Sequence, residues 1–92
     1  MLILLLEDHK PIRDMLKMAL LRDGHDVLEA GDVTAAKQIM RNDEPGLAIV
    51  DWMLPDISGI DFIRWLRRQK GIQKIPVIML TAKNQEADTI TG

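Results

Sequence analysis

Apolar and polar positions alternate along this chain in blocks, and each block has its own rhythm. Leu2-Ile3-Leu4-Leu5-Leu6 is an unbroken apolar run closed by Glu7-Asp8. Such a run predicts a parallel strand buried on both faces. Pro11 then opens a helix, where a missing N–H costs little. Ile12, Met15, Leu16, Ala19 and Leu20 recur at i, i+3, i+4, i+7 and i+8, a stripe predicted to face the core. Gly24 ends that helix. Asp26-Val27-Leu28-Glu29 follows as a short strand with charged ends, the pattern of an edge strand. Asp32 is placed to cap a second helix, with Val33, Ala36, Ile39 and Met40 as its inner face. Residues 42–46, with Pro45, read as a loop.

The second half repeats the alternation. Leu47 to Val50 is apolar and stops abruptly at Asp51, so a third buried strand delivers that carboxylate to its carboxyl end. Pro55 cannot donate to a ladder. Ser58 reads as an N-cap with Asp61 three residues on. The helix it starts is predicted over residues 59–70, with Ile60, Phe62, Ile63 and Leu66 inward and Gly71 as its breaker. Pro76-Val77-Ile78-Met79-Leu80 is a fourth strand, ending in Thr81-Ala82, and Asn84 caps a helix with room for about two turns before Gly92. Strands alternating with helices predict right-handed βαβ units and a parallel sheet, an α/β fold.

Composition narrows this picture. A length of 92 residues, 47% of them hydrophobic, predicts one small domain with a core of its own. The net charge of −2 argues against a nucleic-acid surface on this chain. There is no cysteine, hence no disulfide framework, which fits a cytoplasmic location. Leu2–Leu6 is too short to span a membrane and lacks the basic flank of a signal peptide. Arg64, Arg67, Arg68, Lys70 and Lys74 read as a solvated face with cations near a helix C-terminus, and His9 and His25 as ordinary surface residues.

The chemistry is expected at the strand tips. One carboxylate at a strand end can simply mark a turn. Here three tips are polar: Glu7-Asp8, Asp51 and Thr81. Ligands of open parallel sheets bind outside the carboxyl ends of the strands. Tips of neighbouring strands stand about 4.8 Å apart, so the carboxylates would converge and repel. A divalent cation relieves that repulsion, and an all-oxygen donor set suits Mg²⁺. No histidine or cysteine stands at a useful spacing, which argues against zinc.

Taken together, Glu7-Asp8 after the first strand, Asp51-Trp52-Met53-Leu54-Pro55 with Gly59 after the third, and Met79-Leu80-Thr81-Ala82 after the fourth resemble the receiver domain of two-component response regulators. Within that family they look most like the winged-helix transcription factors related to the phosphate-regulon regulator. The resemblance covers essentially the whole chain. It implies a flavodoxin-like, doubly wound parallel sheet of order 2-1-3-4. It implies Asp51 as phospho-acceptor toward the phosphohistidine of a sensor histidine kinase. Asp8, Asp51 and the Met53 carbonyl would hold Mg²⁺, Glu7 would act through water or as a weaker ligand, and Thr81 would be the switch hydroxyl.

The family pattern continues into a fifth strand that ends in lysine, and then a fifth helix. This chain stops before them, and Lys83 does not match the lysine position. A partial receiver is therefore expected, residues 1–92, without the DNA-binding domain of its parent. Its fourth strand would be an uncovered edge inviting a homodimer or a strand-swapped oligomer. A non-phosphorylated interaction module is the alternative, because the lysine is missing. A haloacid-dehalogenase-type phosphotransferase would want an acid where Met53 stands. A dinucleotide enzyme would want a G-x-G-x-x-G that the chain lacks.

Overall fold

The computed structural model describes residues 1–52, 54, 58–71 and 74–80. Its elements run β1 (Leu2–Leu6), α1 (Lys10–Arg22), β2 (Asp26–Ala30), α2 (Val33–Asn42), β3 (Leu47–Asp51), α3 (Gly59–Leu66) and β4 (Val77–Leu80). Among the described residues the sheet has four strands in the order β2-β1-β3-β4, all parallel. The expected order is thus the observed one, and Asp26–Ala30 is an edge strand as its charged ends predict. The helix start predicted at Asn84 lies outside the described residues.

The sheet is wound on both sides because β1, and β3 as far as Val50, are apolar at every position. Leu4, Leu6, Ala48 and Val50 face α2 and α3, where Val33, Ala36, Met40, Phe62 and Leu66 complete the main core. Ile3, Leu5 and Ile49 face the other way, toward Leu16 and Leu20 of α1. Leu4, Leu5, Leu6, Ala48 and Val50 are fully enclosed. Two-sided burial of this kind holds a parallel strand in place.

Three expectations are corrected. The α1 stripe is rotated: Leu16 and Leu20 pack on the sheet, while Ile12 and Met15 are 37% and 61% exposed and Ala19 is exposed as well. The cause is polar. Arg13 and Lys17 share the inward side with the two leucines, and both reach Glu29 on β2, which draws that side of the helix toward the sheet edge. The third helix ends at Leu66 rather than near Lys70. There Arg68 and Gln69 donate backbone bonds to Trp65 and Leu66, three residues back, a tightening that closes a helix. Gly71, at φ +88°, belongs to the turn beyond. Ile60, expected inward, is 37% exposed, because the inner line of α3 runs through Gly59, Phe62 and Leu66.

Other local readings hold. Asp32 caps α2, its side chain accepting from the Ala35 N–H at 2.8 Å. Ser58 caps α3 through the Asp61 N–H at 3.2 Å. Arg64, Arg67, Arg68, Lys70 and Lys74 are all exposed.

Candidate functional site

The register of the two inner strands builds the site. Leu6 pairs with Val50, so the next residues along, Glu7 and Asp51, are neighbours at the carboxyl ends of β1 and β3. Glu7, Asp8 and Asp51 each present a carboxylate oxygen within 4.8 Å of the others. Glu7 and Asp51 are 4% and 5% exposed, while Asp8 is open to solvent. The three acids expected to converge do so. Asp51 also pairs with Leu80 of β4, and the Trp52 N–H extends that ladder to the Leu80 carbonyl at 2.8 Å. Thr81 and Met53 lie outside the described residues.

The start of α3 is pressed against the end of β3. The Gly59 N–H donates to the Trp52 carbonyl at 3.1 Å. A Cβ at Gly59 would collide with the Asp51 carbonyl oxygen and would crowd Val50 and Met79, each at 3.2 Å. Only glycine allows so close an approach of helix and strand end.

Glu7 is gripped at three points. Its N–H bonds to the Ala30 carbonyl at 3.0 Å, which adds one more rung between β1 and β2. Its carboxylate accepts the His9 N–H at 3.0 Å. Its carbonyl accepts from Arg13 Nη1 at 2.8 Å. His9 is the N-cap residue of α1, so its role is carried by the backbone. Sequence reasoning missed Arg13 altogether. The available signal was a cation in register with Leu16 and Leu20, on the side of the helix that turns inward.

This donor set consists of three carboxylates with no imidazole or thiolate, and two of its members are buried. Buried like charges at this spacing repel unless a cation joins them. Oxygen-only donors at the end of a sheet, with one side open to solvent, fit a hard divalent cation that keeps part of its water, such as Mg²⁺. A separate cavity of about 340 Å³ lies between the C-terminal ends of α2 and α3, lined by residues such as Arg41, Glu44, Trp65 and Lys70; none of the three acids borders it.

A doubly wound parallel sheet with acids gathered at its carboxyl rim defines a flavodoxin-like α/β domain with an acidic edge. The chain belongs to the response regulator receiver domain family, whose pattern matches residues 3–92. It is 42% identical over 98% of its length to the phosphate regulon transcriptional regulatory protein PhoB of Escherichia coli strain K12, of which it covers 39%. It is 39% identical to the transcriptional regulatory protein GltR of Pseudomonas aeruginosa over 98% of this chain and 37% of that one. The chain thus spans about two fifths of the length of these relatives. Among solved structures, the N-terminal domain of a response regulator receiver protein from Methanoculleus marisnigri JR1 superposes with a TM-score of 0.84 at 27% identity, covering 89% of this chain and 67% of that one. The response regulator TrrA from Thermotoga maritima, solved in complex with Mg(2+)-BeF, gives 0.79 at 30% identity over 88% and 69% of the two chains.

Proposed function

We propose that this chain is a phospho-accepting receiver: Asp51 takes a phosphoryl group from the phosphohistidine of a sensor histidine kinase, in a cytoplasmic protein whose parent regulates transcription. The observation that carries this reading is the meeting of the Glu7, Asp8 and Asp51 carboxylates within 4.8 Å at one end of the sheet. A carboxylate oxygen of Asp51 attacks phosphorus. The bond from phosphorus to the imidazole nitrogen breaks, and the imidazole leaves with the electron pair and takes up a proton. A bound Mg²⁺ would supply positive charge against the negative charge that gathers as carboxylate and phosphoryl oxygens approach. Glu7, Asp8 and Asp51 are the residues that would hold it, together with the Met53 carbonyl. The Thr81 hydroxyl would donate to a phosphoryl oxygen and so report the state of Asp51 to the chain that follows.

The relatives support the reading: PhoB and GltR are named as transcriptional regulators, and TrrA was solved with Mg(2+)-BeF. The test is intact mass after incubation with Mg²⁺ and a small phosphodonor. The wild-type chain is expected to gain one phosphoryl adduct and Asp51→Asn none. An adduct on neither protein refutes phospho-acceptance and leaves an interaction module.

A further inference from the structure

We infer that Arg13 is a positioning residue for the acidic rim, setting its affinity for a divalent cation through the backbone of Glu7. This rests on the reading of Glu7, Asp8 and Asp51 as the residues that hold the cation. β1 ends at Leu6, so the Glu7 carbonyl lies just past the last residue of the strand. Arg13 takes it, with Nη1 at 2.8 Å. From the same guanidinium, Nε stands 3.4 Å from a carboxylate oxygen of Glu29, an ion-pair contact without hydrogen-bond geometry. The other Glu29 oxygen is held by Lys17 at 2.7 Å. A relay therefore runs from Lys17 through Glu29 and Arg13 to the peptide that links Glu7 to Asp8. The Arg13 side chain is only 17% exposed, and Gly31 leaves room for it, since a Cβ there would come 3.1 Å from Nη1.

The arrangement is specific to the fork of arginine. Nη1 serves the loop while Nε faces the edge strand, and a lysine ammonium offers no such pair of fixed donors. Because the held peptide carries an acid of the rim on each side, Glu7 before it and Asp8 after it, the grip fixes the spacing of two of the three carboxylates. Groups that orient metal ligands in this way typically change affinity by about 10- to 100-fold when removed.

Two other roles for Arg13 predict different results. A plain staple of α1 onto β2 would alter stability and leave cation affinity alone. A through-space charge effect has the opposite sign, because removing a cation near a cation site tightens binding. The experiment is a Mg²⁺ titration of the 92-residue chain, read by the emission of Trp52 in a Trp65→Phe background, with thermal melts in the presence and absence of Mg²⁺. Trp52 is half exposed and follows Asp51 directly.

Arg13→Met, which keeps much of the apolar stem, is expected to weaken Mg²⁺ binding about tenfold and to shrink the rise in Tm that Mg²⁺ produces. Arg13→Lys is expected to remain weakened, although the charge is restored. Unchanged or tighter binding in Arg13→Met overturns the inference, even if its Tm falls. Should Arg13→Met fail to fold, Gly31→Ala decides: it leaves the arginine in place, crowds Nη1, and is expected to weaken binding in the same direction. Unchanged affinity there overturns the inference. A wild type that gives no Mg²⁺ response in emission or Tm removes the cation site itself, a result distinct from a wild type that responds beside variants that respond equally.

Discussion

Gly59 shows how much of this site rests on one missing methyl group. The helix that follows β3 begins against that strand's own backbone, and the Asp51 carbonyl occupies the space a Cβ would need. The obstacle is main chain, so it cannot rotate aside as a side-chain tip would. Gly59→Ala is expected to destabilise the fold by about 1–3 kcal/mol, the usual cost of overpacking, seen as a lower midpoint in urea with an unchanged slope. The variant should also disturb Mg²⁺ binding, since relief of the clash must move Asp51 or the start of α3. The meeting of Glu7 and Asp51 was legible from sequence because each closes an apolar run, and that local contrast survives folding. Arg13 was not legible. Its placement depends on meeting Glu7 and Glu29 across two elements, and nothing adjacent to it in the chain marks that meeting.

Helix starts were easier to read than helix faces, and the physics explains the difference. A cap is a local transaction between a side chain and an N–H two or three residues away, so Asp32 and Ser58 could be named from sequence alone. Their strengths should differ. The Asp32 bond is short, at 2.8 Å, and part-buried, whereas the Ser58 bond is 3.2 Å and exposed. Asp32→Ala is expected to cost about 1–2 kcal/mol and Ser58→Ala about 0.5–1 kcal/mol, compared by chemical denaturation of the two variants. Faces are decided by partners instead. In α1 several apolar positions could have turned inward, and Glu29 on a neighbouring strand selected the side that carries Arg13, Leu16, Lys17 and Leu20. The early end of α3 is likewise a matter of context, for the Arg67 side chain donates to the Ile75 carbonyl at 2.7 Å across the turn.

At the scale of the whole molecule, the alternation of strands and helices predicted a parallel sheet, and the resemblance to receivers supplied its order. β4 is the outer strand of the described sheet, and Ile78 on it is 50% exposed. An apolar outer strand is a template for pairing. The 92-residue chain is expected to self-associate along β4 at high concentration, and Ile78→Lys to suppress this, both measured by sedimentation velocity. A wild type that sediments as a monomer throughout would remove the prediction. No helix of the described residues is long and apolar enough to cross a membrane, in keeping with the short hydrophobic runs.

The mounting of the acids carries one more consequence. Glu7 and Asp51 stand at the carboxyl ends of β1 and β3, the most completely enclosed strands, and core strands of this kind are the last part of a small domain to open. The floor of the candidate site is thus an anvil, stiffer than the solvent-facing turns around it. Any adjustment of the rim has to come from the looser pieces around that floor, the exposed Asp8 first among them.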